Sequence, residues 1–461
     1  MIFNLHKMKN YLAVFIFILA ALLVDFSAHK WKKNEVFNYD VYGYHNYLPA
    51  IFIYHDITEY KFLDSIEVKY RPTGDKFYKY GLTEAPKTHY LCNQYPIGVA
   101  LFQLPFFAVA HTWATLTHQD PPDGYSSPYQ HATVLSTLLF ATLALLLLIS
   151  FLRNYFSTGV VFFTVLLLAM GTNFFQYATL ESGFSHVYLF FLYTAILYLT
   201  RKWYLNATVS HSILLGICIG LCAITRPIDI LAFLIPLCWV NSDIPKRAYL
   251  KANRNKILLI ILFTFIITLP QLIYWKYVTD QWMYYSYTKV DYFQFDRFRL
   301  IHGLFSYRKG WFIYTPIALL AFISVLHISR QSNFYFYKKV FWVFFLPMLF
   351  LVFSWHNWFY GWSFGCRALI QTLPVLAIPI ALLLEKSLTF TILQKMGLYI
   401  TISFFVFLNL FQTWQYNKGI LHGSMMNESM YWRIFLTTKH NPELDKNYKL
   451  QEELDWNTGG W

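Results

Sequence analysis

The sequence predicts an all-α polytopic membrane protein of about eleven transmembrane helices with a long first extracytoplasmic loop. Of its 461 residues 57% are hydrophobic and only 13% charged, with a mean hydropathy of +0.38, too apolar and too poor in charge for a soluble chain of this length. Apolar runs close to the roughly 20 residues that span a bilayer recur along it. Aromatics make up 21%, and Tyr and Trp favour the level of the lipid headgroups because each has an apolar body and a polar tip. Many short loops at that level account for the excess.

The first span is the apolar run 11–28, preceded by Lys7 and Lys9; with no small-residue cleavage pattern after it, it reads as a retained signal anchor. Further runs lie near 131–152, 157–174, 184–200, 211–225, 228–241, 257–276, 311–329, 340–355, 368–384 and 396–414. A twelfth candidate, PIGVALFQLPFFAVAH at 96–111, is decided by charge. If it stays out of the bilayer, the cytoplasmic side receives the N-terminus, Arg153, Arg201, Lys202, the cluster from Lys246 to Lys256, Arg330, Lys338, Lys339, Lys386 and Lys395. Every cytoplasmic loop then satisfies the positive-inside rule. If it spans, those clusters flip outward and the new cytoplasmic loop THQDPPDGYSSPYQ has no Lys or Arg. The stretch is therefore placed along the outer interface, helped by Pro105.

This leaves an outer loop of about 29–130, in which HNYLPAIFIYHDI reads as a short surface helix and DSIEVKYRPTGDKFYKYGLTEAPK as turn-rich loop. The pair 211–225 and 228–241 has basic flanks on both sides and so reads as a hairpin with Arg226-Pro227 at its tip. Arms of about 15 residues reach only about 22 Å, so Arg226 lies below the outer surface and needs an anionic partner. The chain divides into a membrane domain, 1–414, and an outer tail, 415–461, with one short helix near 427–436.

The formal charge of +13 does not imply nucleic acid, because Lys and Arg are scattered over membrane-flanking loops. Topology and anionic lipid account for it. The five cysteines form neither a CxxC pair nor a metal spacing; Cys218, Cys222 and Cys238 fall in spans, and Cys92 and Cys366 share the outer side.

Sorted by side, the remaining polar residues gather outside: Asp40, His45, Asp56, Lys87, His89 and Tyr95 in the first loop, Glu181 and His186 in the next turn, then Arg226, His356 and Arg367. A site therefore opens outward at the leaflet boundary. Asp40 is its most informative member, and its bland reading is a helix cap. A carboxylate base can deprotonate a hydroxyl held within hydrogen-bond reach, and arginines can neutralise a departing phosphate. Together they suit transfer of a group from a lipid phosphate. For each residue a structural role stands beside the chemical one: ion pairs for Arg226 and Arg367, a cap for Glu181, packing for the histidines, turns for RKG and SFG.

Five segments, YDVYGYHNYLPAIFIYHD, QYPIGVALFQLPFF, TNFFQYATLESGFSHVY, GLCAITRPIDIL, and LFSYRKGWFIYTPI with SWHNWFYGWSFGCRALIQTLP, run in order from residue 39 to 374. In order and sidedness they resemble bacterial members of the GT-C superfamily of integral membrane glycosyltransferases, which includes protein O-mannosyltransferases and lipid A aminoarabinose transferases. The resemblance implies Asp40 as catalytic base, a polyprenyl-phosphate sugar as donor, a glycan, glycolipid or protein as acceptor, and a multi-pass place in a bacterial inner membrane with the N-terminus cytoplasmic. Arg226 and Arg367 match outer-side arginines of that group. With Lys87, Tyr44, Tyr95 and His356 they are the expected donor-phosphate and substrate contacts. The acidic pair frequent after the first span is absent, since Val41 follows Asp40; Glu181 with His186 or His89 is the candidate for a divalent metal, and no cofactor is otherwise implied.

The expected activity is inverting, single-displacement sugar transfer on the extracytoplasmic face. A lipid-linked-sugar transporter or flippase is the rival of another class, opposed by missing repeat symmetry and by the lack of acidic residues deep in the spans. An outer-face glycan ligase or polymerase shares the donor chemistry.

Overall fold

The structure, a computed structural model, describes residues 5–75, 78–240, 245–287, 291–444, 446 and 448, with the side chains of 5–10 and 75 left aside. The side chains of Lys7 and Lys9 and the polar end of the tail at 445, 447 and 449–461 lie outside the described residues. Among the described residues seven helices are long and apolar enough to cross a membrane: Tyr11–Lys32, Gly98–Thr117, Ser127–Leu152, Arg254–Thr279, Tyr335–Phe353, Arg367–Ser387 and Ile392–Asn417. Shorter apolar helices, Thr158–Met170, Val209–Thr225, Pro227–Cys238 and Pro316–Leu326, fall on four more of the runs, and Ser185–Leu205 on another. The chain is an all-α membrane protein; its only paired strands among the described residues are Leu82–Glu84 and Leu91–Asn93, an antiparallel hairpin.

Two expectations for the outer loop change and a third element is longer than expected. The stretch expected at 96–111 folds as a 20-residue helix, Gly98–Thr117, that continues through Pro105. The segment read as a surface helix forms the short helix Tyr47–Phe52 directly after the helix Tyr39–His45, but it is not a surface element, since Tyr47, Leu48, Pro49 and Ala50 are buried, as is Tyr42 before them. Part of the segment read as turn-rich loop is helical, Leu63–Tyr70, burying Leu63 and Ile66.

The chain forms two compact units. One comprises Ile18–Ala144 and Tyr177–Lys289. In it Trp203 Nε1 donates to Ser212 Oγ at 2.9 Å across a short turn, so Val209–Thr225 runs back along Ser185–Leu205. Tyr193 then bonds Asp229, and Tyr204 bonds the carbonyl of Pro236. The element Pro227–Cys238 therefore runs with Ser185–Leu205 and against Val209–Thr225, and the expected hairpin is present.

The Val209–Thr225 helix lies against Arg254–Thr279 through Gly216 and Gly220. A Cβ on Gly216 would stand 2.5 Å from the Ile260 carbonyl oxygen, and one on Gly220 2.8 Å from that of Thr264. Small residues four apart let two backbones approach where lipid offers no hydrophobic drive, and Thr264 Oγ1 donates to the Gly216 carbonyl at 3.1 Å across the same contact.

The other unit comprises Met1–Phe17, Leu145–Gln176 and Val290–Trp461. Its core is the Leu373–Ser387 helix, flanked by Thr158–Met170 and Pro316–Leu326. Its tail helix, expected near 427–436, is Glu428–Ile434, capped by the Asn427 side chain. Gln415 Nε2 pins it by donating to the carbonyls of Ile434 and Thr437. Met425, Met426, Met430, Tyr431 and Leu444 pack there on Tyr314 and Phe364.

Gly216→Val and Gly220→Val are expected to lower the thermal midpoint of the detergent-solubilised protein, at an overpacking cost of about 1–3 kcal/mol each. Gly397→Ala, in a helix where nothing lies within 4 Å of the added Cβ, should leave the midpoint unchanged or raise it, through a stability gain of up to about 0.5–1 kcal/mol.

Candidate active site

Asp40 opens the Tyr39–His45 helix. The Asn38 carbonyl accepts from Val41 N at 3.0 Å and the Asn38 side chain makes no cap bond, so Asp40 sits in the first turn and is not the cap. A carboxylate is favourable at that end of a helix dipole. Its Oδ1 accepts from the Tyr95 phenol at 2.8 Å and from the Tyr80 phenol at 3.3 Å, the two hydroxyls being 3.3 Å apart. Burial, and then the Asp40 charge, hold the Tyr95 phenol well above its ordinary range, so it remains a donor. Asp40 itself is half-buried.

Three neighbours fix this turn. His45 stacks on Phe37 with ring centroids 3.9 Å apart, and its Nε2 bonds the Gly124 carbonyl at 2.7 Å. Tyr44 is buried, its hydroxyl 3.3 Å from Ser185 Oγ and its ring 4.8 Å from that of Tyr95. Gly183, at φ 92° in the turn that carries Glu181, lies so close that a Cβ would stand 2.5 Å from Val41. That turn, which holds Glu181 and leads into the helix Ser185–Leu205 with His186 at its start, therefore abuts the residue next to Asp40.

The hairpin tip comes to the same end of the unit. A Cβ on Gly98 would stand 2.3 Å from Thr225 Oγ1, so backbone meets backbone three residues after Tyr95 and one before Arg226. Arg226 has its anionic partner in Asp229: Nε lies 3.7 Å from Oδ2, and Asp229 is fully buried. Asp229 Oδ1 also accepts from Tyr193 at 2.7 Å. This acid falls near the start of the predicted span 228–241 and not deep within it. Its ion pair and phenol bond offset part of the cost of burying a charge.

The other expected contacts are placed as follows. Lys87 is largely exposed and pairs with Asp280 at 3.6 Å. His89 is exposed with Nδ1 2.6 Å from Glu84. His186 is buried between Phe184 and Tyr177. In the other unit, Arg367 is half-buried and begins the turn Arg367–Thr372. His356 there stacks on Tyr292, and its imidazole is held below the usual range by burial, then by Arg299 and Arg297. Among the described residues no three His, Cys, Asp or Glu side chains converge as a metal site, and Glu181, His186 and His89 do not form one. All five cysteines, Cys92 and Cys366 among them, are buried and outside any disulfide.

Tyr80 and Asn93 are the site residues that the sequence does not single out. One is a tyrosine among 36, and the other acts through a turn that only the fold closes.

No protein-family model matches the chain, and no curated protein does. Among solved structures, the apo oligosaccharyltransferase of Archaeoglobus fulgidus superposes at a TM-score of 0.48 and 12% identity over 96% of this chain. The chain spans 59% of that protein's length. At those values the likeness carries nothing further for this chain.

His45 supplies a pH test of the packing around Asp40. Burial pushes its imidazole down to about 4 from an ordinary 6.5, so the unfolded chain binds the extra proton between those values. The stability it contributes is fully present above about pH 6.5 and is lost as pH falls toward 4, at up to about 1.4 kcal/mol per pH unit. Thermal midpoints should fall through that window, and more shallowly in His45→Gln, which cannot protonate.

Proposed function

We propose that the protein is a membrane glycosyltransferase that moves a sugar from a polyprenyl-phosphate donor to an acceptor hydroxyl on the extracytoplasmic side, with inversion and with Asp40 as base. The observation that carries this is the carboxylate of Asp40, half-exposed and held at one oxygen by two phenols. A cap has no use for such a mount, whereas a base needs a fixed lone pair. The ordered resemblance of residues 39–374 to GT-C transferases supplies the substrate class.

In this reading the acceptor hydroxyl gives its proton to Asp40 as its oxygen bonds the anomeric carbon. The bond from that carbon to the phosphate oxygen breaks, and its electron pair leaves with the polyprenyl phosphate. Arg226 at the hairpin tip is the cation assigned to the growing phosphate charge. Arg226 is then shared with Asp229, which holds it in place. Binding energy spent on the lipid and sugar would align the two partners, and orientation would supply much of the rate.

Purified protein should be incubated with a panel of polyprenyl-phosphate sugars and candidate acceptors, and transfer followed by mass. Asp40→Asn is expected to cut transfer by roughly 100- to 10,000-fold, the range of a lost general base, while donor binding and thermal midpoint hold. Near-normal turnover by that variant would sink the assignment. A product heavier by a whole glycan would assign the site to a ligase or polymerase.

A further inference from the structure

Gly43 lies inside the Tyr39–His45 helix with no left-handed backbone, so nothing in its conformation calls for glycine. What calls for it is the ring of Tyr95. A Cβ on Gly43 would stand 2.3 Å from Tyr95 Cδ2 and 2.5 Å from Cε2, and one on Gly81 2.8 Å from Cε2. The phenol thus lies in a slot walled by two glycines, with the Tyr44 ring 4.8 Å and the Tyr287 ring 6.4 Å away.

Its backbone is tied to the same wall. Buried Asn93 donates from Nδ2 to the Gly43 carbonyl at 2.7 Å and accepts from Tyr95 N at 3.0 Å. The Tyr95 carbonyl accepts from Tyr47 at 2.6 Å. Ring, amide and carbonyl are each held, and the one atom that leaves the slot is the hydroxyl that meets Asp40 Oδ1.

We propose that Tyr95 is a positioning residue for Asp40, and that Gly43 is glycine in order to seat the Tyr95 ring so that its hydroxyl fixes one carboxylate oxygen. This rests on the reading of Asp40 as base. Tyr95 touches no reacting atom; it sets where the accepting lone pair points. Gly43 acts at one remove, through the ring.

The test is a double-mutant cycle on turnover, with stability measured alongside. Tyr95→Phe removes one oxygen and leaves the ring; kcat should drop by roughly 10- to 100-fold, as for a displaced catalytic group, with donor KM changed less than twofold. Gly43→Ala should push the ring aside and lower kcat comparably. In the Tyr95→Phe background Gly43→Ala should cost no further kcat, because the hydroxyl is already gone, yet should still lower the thermal midpoint, because the ring is still crowded. Gly81 is a poorer probe, since its φ of 80° strains any side chain.

Multiplying kcat losses in the double variant would overturn the slot. Wild-type kcat in Tyr95→Phe beside a dead Asp40→Asn would overturn the positioning role while leaving the base in place. An active Asp40→Asn would remove the base reading itself. If Gly43→Ala does not fold, the KM-against-kcat split of Tyr95→Phe decides the matter alone.

Discussion

The segment from Asn93 to Gly98 is the constraint on which the proposed site depends. It threads between three helices and is largely buried, and a buried amide without a partner costs as much as a lost hydrogen bond. Three of its amides are met by particular side chains: Asn93 N donates to Tyr274 Oη at 2.8 Å, Tyr95 N to Asn93 Oδ1 at 3.0 Å, and Ile97 N to Gln271 Oε1 at 2.8 Å, while Gln94 N donates to the Gly81 carbonyl at 2.8 Å. Two of these partners stand on the Arg254–Thr279 helix. The segment is thereby locked to that helix, to the hairpin tip through Gly98, and to the Tyr39–His45 turn through Gly43. Tyr95 can hold Asp40 only because its own chain cannot move.

The same rule governs the charges. Asp229 is fully buried, yet it has Arg226 and the Tyr193 phenol. Lys309, in the turn read from RKG, is also buried, and its ammonium bonds the carbonyls of Ser363 and Gly423. Beside it Arg308 lies over the Phe359 ring at 3.6 Å and donates to the Ser424 carbonyl. Two cations thus clasp the start of the tail, where an aromatic face and carbonyl dipoles take the place of water. The tail is held as part of its unit by polar ties as well as by its methionines.

Much of the fold is legible along the chain, because in lipid the backbone must satisfy itself within one segment. Each apolar run could therefore be read as a helix without its neighbours, and the need of Arg226 for an anion followed from depth alone. The helix Leu63–Tyr70 escaped that reading because its support comes from elsewhere. Its Glu67 accepts from Tyr42, 25 residues earlier, and from the amide of Lys79, 12 later. Gly216 and Gly220 stood four apart in plain sight, but only the facing carbonyls of Ile260 and Thr264 explain them.

Asp40 shows where the division falls. Its sequence position marked it as an acid in a polar, tyrosine-rich stretch after the first span, and residue type with charge topology was enough to single it out. Its mount was beyond reach, since the phenols come from 40 and 55 residues away and the slot from Gly43 and Gly81. Composition and hydropathy are local sums that a chain carries wherever it goes. Hydrogen-bond partners and close backbone approaches exist only between segments that packing has brought together, and so the tertiary structure alone decided what holds Asp40.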